Sequence, residues 1–511
     1  MSHSSENNKR IAKNTLLLYI RMLFIMAVQL YTSRIILNTL GVSDYGIYNV
    51  VGGVVTMLGF LNGTMSAATQ RFITFELGCG NYSRLQTVFS TTLQIHTLIS
   101  AIVVLFAETI GLWFLNYKMQ IPVDRQEAAF WVYQCSILAS VITIMSVPYN
   151  SAIIAHEKMS AFAYISILEV ILKLIIVYLL ALSPIDKLIL YATLILLVQL
   201  LIRLCYSYYC NKHFPESKYK HHFNKQLFRE MTSFAGWNLV PNIVSVLNTQ
   251  GINILLNLFF GPTVNAARGI AVQVQNAMYQ FSANFQMAIN PQIVKSYAAG
   301  EYERTQQLMY RSARFSFYLL FMIALPVMLE TNFILTLWLK IVPEHTVVFL
   351  QIMMGCILLY TFSSPMCEVA YATGNIKRLN ITCSIIVLLA LPVSWVALKL
   401  GAPAYWAFLF ILIFEIISQI ARMYILRTLT QFSIRDFAKK VYFPTFLVAC
   451  ISTILPYTLS QLTEASFIRM LLTIILSIAS VGIFGYTLGI TKEERIFIKN
   501  KVQARIKFHK I

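Results

Sequence analysis

Apolar residues in this chain are gathered into long runs that recur along nearly its full length. A helix needs about 20 residues to cross the hydrocarbon core of a bilayer. Because the bilayer interior does not tolerate unpaired backbone groups, such runs must be helices. The pattern predicts an all-α polytopic membrane protein with about 14 transmembrane helices. The predicted spans lie at approximately 14–37, 45–66, 86–116, 128–150, 160–183, 187–209, 231–258, 265–289, 312–338, 346–371, 379–399, 403–425, 441–461 and 467–490.

The polar positions between the runs support this topology. The chain is 58% hydrophobic and 12% charged, about half the charged share of roughly 25% that is usual in soluble proteins. With the N-terminus in the cytoplasm, the inward-facing segments hold 29 of the 40 Lys and Arg residues and the outward-facing segments hold seven. This is the positive-inside bias, which the omission of a single helix would reverse for every later loop. Both termini are therefore expected in the cytoplasm.

The net charge of +19 follows from the same bias. The cations are dispersed among short loops, so the charge does not indicate nucleic-acid binding. The eight cysteines form no C-x-x-C pair and are expected to be small buried residues, without a metal or a disulfide framework.

Signatures of catalysis are missing from the sequence. It contains no phosphate-binding loop and no H-E-x-x-H motif, and the external loops are too short for a catalytic domain. We therefore expect no enzyme activity and no cofactor. Transport would depend on a coupling ion, H⁺ or Na⁺, or on the gradient of the substrate itself.

An internal repeat predicts two related lobes. The segment from Gly41 to Gln86 aligns without a gap with the segment from Gly261 to Gln306, and the identities cluster at Gly80–Arg84 and Gly300–Arg304. Paired lobes with a site at their interface are a common transporter design.

The repeat and the polar segments predict five parts of the chain. Residues 1–210 form an N-terminal lobe of helices 1–6, residues 211–228 a basic cytoplasmic linker, and residues 229–428 a C-terminal lobe of helices 7–12. Residues 429–490 add helices 13 and 14, and residues 491–511 form a basic tail. The tail suits a strip on an anionic inner leaflet or a solvated segment.

Ionisable residues inside apolar runs are costly unless they are paired or face water. Helix 1 carries Arg21 and Arg34, which are 13 residues apart, about 20 Å along a helix, and on different faces. Arg21 either lines a water-filled cavity or extends to the cytoplasmic edge of the membrane. Arg34, near the outer end, either lines the cavity or extends to the outer edge of the membrane.

Helix 5 carries Glu169 and Lys173. Their i,i+4 spacing brings the two charges together. The pair is either self-neutralising or faces the cavity, where Lys173 would bind anions or Glu169 a coupling ion.

The second lobe contributes two further candidates. Arg268 opens predicted helix 8 and is a candidate cavity residue. In helix 7, Pro241 removes a backbone hydrogen bond, which predicts an unwound segment at a site or a bend needed for packing.

Two runs carry a resemblance to a known family. The run from Arg34 to Tyr48, RIILNTLGVSDYGIY, resembles a pattern of Wzx-type polysaccharide flippases. The run from Gly251 to Gly269, GINILLNLFFGPTVNAARG, is similar to the same group. These flippases belong to the superfamily that also holds MATE drug exporters and MurJ-type lipid II flippases. The resemblance covers essentially the whole chain.

This resemblance implies a V-shaped cavity between two six-helix lobes that opens alternately to each side of the membrane. Arg21 and Arg34 occupy the helix in which such flippases place phosphate-binding arginines, and Arg268 is a looser match. MATE exporters typically place an acid in helix 1 or 7. In this chain the acid that could take that role is Glu368, although it lies in helix 10.

The expected function is therefore a flippase for undecaprenyl-pyrophosphate-linked oligosaccharide, working in surface polysaccharide assembly in a bacterial cytoplasmic membrane. Polysaccharide polymerases and glycosyltransferases are the expected partners, together with membrane lipids, and a monomer is the expected state. The alternative is a MATE-like cation-coupled antiporter for drugs or organic cations. A third hypothesis is a membrane enzyme such as a polysaccharide polymerase or ligase. A positive cavity favours the flippase and a negative one the exporter.

Overall fold

The structure, a computed structural model, describes residues 2–56, 60–117, 121–219, 223–260, 262–339 and 342–496. Throughout these ranges every regular element is a helix, which confirms the all-α fold class. Two compact units are present, Lys13–Leu239 in one and Met1–Ala12 with Val240–Ile511 in the other. The finer five-part division remains a prediction.

The first unit contains the helices of the N-terminal half, except that α1 begins in the other unit and belongs to the first from Lys13 onward. They are α1 (Ser2–Thr56), α2 (Phe60–Cys79), α3 (Tyr82–Phe106), a π-helical turn (Ala107–Gly111), α4 (Leu112–Tyr117), a 3₁₀ turn (Val123–Arg125), α5 (Gln126–Ala155), α6 (Met159–Leu182), α7 (Lys187–His213) and a 3₁₀ turn (Pro215–Ser217).

Helix α8 (Lys225–Phe260) runs from the first unit into the second, which holds the remaining helices. They are α9 (Pro262–Ala298), α10 (Tyr302–Leu329), α11 (Thr331–Leu339), α12 (Thr346–Thr373), α13 (Lys377–Leu388), α14 (Ala390–Lys399), α15 (Trp406–Leu429), α16 (Ile434–Phe437), a π-helical turn (Ala438–Tyr442), α17 (Phe443–Leu462), α18 (Phe467–Phe484) and a π-helical turn (Gly485–Gly489).

Eleven helical stretches of the described residues are long and apolar enough to cross a membrane. They correspond to predicted spans 3–7 and 9–14. Predicted spans 1, 2 and 8 fall on α1, α2 and α9, which are not among the eleven. The membrane class is therefore supported, whereas the count of fourteen is not confirmed.

Two predicted interruptions are absent from the helices. Helix α1 is continuous from Ser2 to Thr56, across the break expected near residues 38–44. That stretch contains one glycine and no proline, so no residue there forces the backbone out of a helix. Helix α8 likewise passes through Pro241, because the loss of one backbone hydrogen bond bends a helix more often than it unwinds it.

One proline does separate two helices. The chain leaves regular helix between α13 and α14 at Leu389, three residues before Pro392. Proline offers no N–H to the carbonyl four residues earlier, which here belongs to Leu388. The predicted eleventh span is therefore one apolar run made of two short helices.

The two copies of the repeat are built alike where their identities cluster. Gly80 and Gly300 follow α2 and α9 with φ angles of 70° and 78°. The next amide in each copy bonds back to the helix, Asn81 to the carbonyl of Glu76 at 3.2 Å and Glu301 to that of Ser296 at 2.9 Å. Glycine is required because other residues pay a steric cost at positive φ.

Gln86 and Gln306 also have the same role in the two copies. The Gln86 amide donates to the Lys218 carbonyl at 3.2 Å, and the Gln306 amide donates to the Gln431 carbonyl at 2.7 Å. Each glutamine thus ties the start of one helix, α3 or α10, to the segment that follows another, α7 or α15. The two copies of the repeat therefore share a side-chain contact as well as residue identities.

Candidate substrate cavity

The first unit contains a partly open cavity of about 420 Å³. It is lined from five helices, α1, α2, α5, α6 and α7, and most of its lining side chains are polar. The lining residues are Arg21, Gly63, Ser66, Thr143, Ser146, Val147, Asn150, Phe162, Ser166, Glu169, Gln199, Ile202 and Tyr206. A pocket of this size is within the range that small-molecule sites occupy.

The lining residues of each helix recur at helical spacing. On α6 they are Phe162, Ser166 and Glu169, and on α7 they are Gln199 and Tyr206, with Ile202 between them. Positions three or four apart lie on one face of a helix. On both helices the lining residues therefore share one face, and the two faces meet at the cavity.

Arg21 supplies the cationic group of the cavity wall. Its guanidinium carbon lies 4.5 Å from the centre of the Phe162 ring, which is a cation–π contact. The Nε atom of Arg21 is buried and has no hydrogen-bond partner. Among the described residues, Arg21 forms no ion pair with a carboxylate. Its positive charge is thus held in place by an aromatic ring and left available on the cavity side.

Glu169 supplies the carboxylate of the cavity wall. Its Oε1 atom accepts hydrogen bonds from Lys173 Nζ at 2.6 Å and from Gln199 Nε2 at 3.2 Å. The predicted i,i+4 contact of Glu169 and Lys173 is therefore present. Since Lys173 balances the charge of Glu169, Arg21 contributes the excess charge, and the three groups together carry one positive charge.

Two further polar groups near the cavity were not singled out by sequence reasoning. Arg203 on α7 stacks over the Tyr149 ring, with its guanidinium carbon 4.1 Å from the ring centre, and its Nη1 atom is buried without a partner. The Oδ1 atom of Asn150, a lining residue, is also buried and unpartnered. Arg203 follows Gln199 by four residues, about one helical turn, and this spacing could have indicated that the two residues share a face of α7.

Two other candidates from the sequence, Arg268 and Glu368, do not line this cavity. Arg268 lies in the second unit, where it is 9% exposed. It donates to the Thr249 carbonyl at 2.7 Å and to Asn253 Oδ1 at 3.2 Å. Glu368 lies in the second unit on α12, half-buried and without an ion pair among the described residues. The side chain of Arg34 is outside the described residues.

Comparison with known proteins identifies the family. A model of the family described as polysaccharide biosynthesis protein matches residues 11–299, more than half of the chain. The chain belongs to this family. No curated protein matches its sequence significantly.

Solved structures share the fold of this chain. A MATE point mutant has a TM-score of 0.70 at 13% identity, covering 82% of this chain and 96% of its own. A mutant of the Vibrio cholerae MATE transporter VcmN has a TM-score of 0.65 at 18% identity, covering 84% and 98%. An outward-facing multidrug resistance MATE family transporter of the MOP superfamily has a TM-score of 0.67 at 14% identity, covering 82% and 95%. The MATE-like fold is thus confirmed.

Proposed function

We propose that this protein carries an undecaprenyl-pyrophosphate-linked oligosaccharide from the inner to the outer leaflet of a bacterial cytoplasmic membrane by alternating access. The observation that carries the proposal is the Arg21 guanidinium, which lines the cavity with a buried, unpartnered Nε atom and no carboxylate bound to it. Polymerases and glycosyltransferases of the same surface polysaccharide would be its functional partners.

The lining chemistry supports an anionic glycan as the substrate. A guanidinium offers a planar fork of donors that suits phosphate oxygens. Hydroxyls and amides, supplied here by Ser66, Thr143 and Asn150 among others, exchange hydrogen bonds with sugar hydroxyls. A cavity of about 420 Å³ would hold only part of such a substrate, with the polyprenyl chain left in lipid.

A second candidate function is a MATE-like antiporter for organic cations, coupled to H⁺ or Na⁺. Glu169 lines the cavity, and Glu368 has no ion pair among the described residues. Either acid could take up a coupling ion. The cavity charge favours the flippase, because Lys173 already neutralises Glu169 and Arg21 adds a positive charge that would repel a cationic drug.

The test is replacement of Arg21 in a strain that depends on this protein for its surface polysaccharide. Arg21→Ala should lower surface polysaccharide by about tenfold or more, equivalent to at least about 1.4 kcal/mol, and lipid-linked glycan should accumulate in the inner leaflet. Arg21→Lys should restore part of the activity, since it keeps the charge and loses the fork.

Arg229→Ala is the matched control, because Arg229 is exposed on α8 and does not line the cavity. Protein abundance in the membrane is measured for all three variants. Normal surface polysaccharide in an abundant Arg21→Ala protein contradicts the proposed phosphate role.

A further inference from the structure

A second cavity lies in the other unit, at the start of α10. Its volume is about 520 Å³. It is bounded by the first three turns of α10, by the π-helical turn Ala438–Tyr442, and by the segment that follows α18. We call it the C-terminal cavity, and its defining residues are Tyr310, Arg311, Arg314, Lys440, Lys492 and Glu494.

Two arginines share one carboxylate in its wall. Glu494 Oε1 lies 3.0 Å from Arg311 Nε and 2.8 Å from Arg314 Nη2, and Oε2 lies 3.0 Å from the same Arg314 nitrogen. The Thr491 amide also donates to Oε2 at 2.9 Å. The side chains of Arg314 and Glu494 are only 6% and 7% exposed. One carboxylate neutralises one guanidinium, so a positive charge remains in this buried cluster.

Two buried donors of the same wall have no acceptor. The Tyr310 hydroxyl and Arg314 Nε are both buried without a hydrogen-bond partner, and both residues line the C-terminal cavity. Arg314 Nε can only donate. Buried polar groups in folded proteins are nearly always paired. Donors that have no acceptor among the described residues, in a positively charged cavity, are suited to bind an anion.

The rim carries charges of both signs. Lys440 and Lys492 are exposed and form no ion pair among the described residues, and the exposed acids Glu303 and Glu493 also line the cavity. With the arginines and Glu494 included, four cations face three carboxylates. The excess is positive, and the interior of the cavity is more positive than its rim.

The surroundings of the rim place it beside lipid. Phe443 and Phe446, on the helix that follows Lys440, are 66% and 72% exposed, and α17 belongs to an apolar stretch long enough to span a membrane. Large exposed apolar side chains next to exposed lysines are the arrangement of a surface that meets acyl chains at one depth and lipid headgroups at the next.

We propose that the C-terminal cavity binds a phosphate group, supplied by the headgroup of an anionic phospholipid in the cytoplasmic leaflet. The phosphate oxygens accept hydrogen bonds from Tyr310 Oη and from the arginine cluster, while Lys440 and Lys492 hold the headgroup at the rim. Inorganic phosphate has the same chemistry and is the second possible source. This site uses none of the residues of the substrate cavity and does not depend on the proposed transport function.

The test measures thermal unfolding of the purified full-length protein in detergent, with added phosphatidylglycerol, phosphatidylethanolamine or inorganic phosphate. Phosphatidylglycerol should raise the unfolding midpoint by several degrees, and phosphatidylethanolamine should not. The shift should disappear in the Lys440→Ala/Lys492→Ala protein, because these two lysines form no ion pair among the described residues that the substitutions could remove. It should persist in Lys218→Ala/Lys225→Ala, a control that removes two exposed lysines elsewhere.

An equal shift with inorganic phosphate alone supports the phosphate site and assigns it to a soluble ligand. Equal shifts with the two phospholipids, or an undiminished shift in Lys440→Ala/Lys492→Ala, overturn the proposal. Tyr310→Phe gives an independent measurement, since it deletes an unpartnered hydroxyl. Its midpoint without lipid should not fall, while the apparent affinity for phosphatidylglycerol should weaken by about tenfold, as expected for a hydrogen bond to a charged group. Unchanged affinity in this variant also counts against the site.

Discussion

The hydroxyl of Tyr133 occupies the space that a side chain on Gly111 would need. Gly111 ends the π-helical turn between α3 and α4, and Tyr133 on α5 donates to the Ala107 carbonyl of the same turn at 2.6 Å. A π-helical turn disturbs the regular backbone hydrogen bonds. The tyrosine supplies a donor for one of the carbonyls in this turn, and glycine makes the approach possible.

We predict that Gly111→Ala destabilises the protein and that Tyr133→Phe partly rescues it. The new Cβ would collide with the Tyr133 hydroxyl, while the next ring atom, Cζ, is 3.3 Å away. Overpacking of this kind costs about 1–3 kcal/mol. Thermal unfolding of the single and double variants in detergent measures the rescue. If the effects of the two single substitutions on stability simply add in the double variant, the Tyr133 hydroxyl is not the obstacle.

A second glycine–tyrosine pair should not be rescued in this way. In the π-helical turn Gly485–Gly489, a Cβ on Gly489 would lie 2.5 Å from Tyr318 Oη and 2.6 Å from its Cζ. Tyr318→Phe leaves the ring carbon in place. It also removes the hydrogen bond from Tyr318 to the Gly489 carbonyl. Gly489→Ala/Tyr318→Phe should therefore unfold at or below the midpoint of Gly489→Ala, measured side by side with the Gly111 series.

Gly80→Ala and Gly300→Ala should each lower stability, by similar amounts. Their φ angles of 70° and 78° are in the left-handed region, where a residue with a Cβ costs about 1–2 kcal/mol. Gly269→Ala is the control, because Gly269 lies within α9 and its added Cβ would meet no atom within 4 Å. That variant should be neutral or more stable, since alanine favours helix by about 1 kcal/mol. A loss in the control equal to the losses at Gly80 and Gly300 would contradict the prediction.

Arg125 should give the protein a pH-dependent stability in the acid range. It donates to Asp186 Oδ2 at 2.6 Å and also binds Asp44. Burial by itself would raise the pKa of Asp186, but the Ile189 amide and the Arg125 guanidinium outweigh it and hold this pKa below its ordinary value. Asp186 thus stabilises the folded state above the ordinary aspartate pKa of about 4, and this contribution disappears as pH falls through the lower folded value.

Arg125→Gln should consequently be less stable than the wild type at neutral pH, and the difference should shrink as pH falls below about 4. Unfolding midpoints between pH 3 and 7 measure it. Arg229→Gln, a change of the same kind at an exposed site, should show a difference that does not vary with pH. A constant difference for Arg125→Gln would exclude the proposed linkage.

Glu169→Gln separates the two candidate functions. The substitution preserves the size of the side chain, removes the partner of Lys173, and makes the cavity more positive. A flippase for an anionic glycan should retain most of its surface polysaccharide output. An antiporter that uses Glu169 for its coupling ion should lose drug efflux by more than about tenfold, equivalent to about 1.4 kcal/mol. Both readouts, with membrane abundance as a control, can be measured in one strain.

Much of this protein follows from its sequence because lipid imposes a local rule. Each apolar run must satisfy its own backbone, so the runs alone predicted an all-helical membrane chain, and eleven of them correspond to helices long enough to span a membrane. The contact of Glu169 with Lys173 and the positive φ of Gly80 and Gly300 are also local, since they depend on residues within one or two helical turns.

Only the tertiary structure decided which polar residues meet. Arg21, Thr143 and Gln199 lie on different helices, and their common cavity depends on how each helix is rotated about its axis. In a run that is apolar on all sides, few residues specify that rotation. For the same reason, two contacts were not predicted. One is the stacking of Arg203 over the Tyr149 ring, and the other is the hydrogen bond that Arg268 donates to the Thr249 carbonyl. The sequence determined which segments are helices, while helix packing determined which side chains converge.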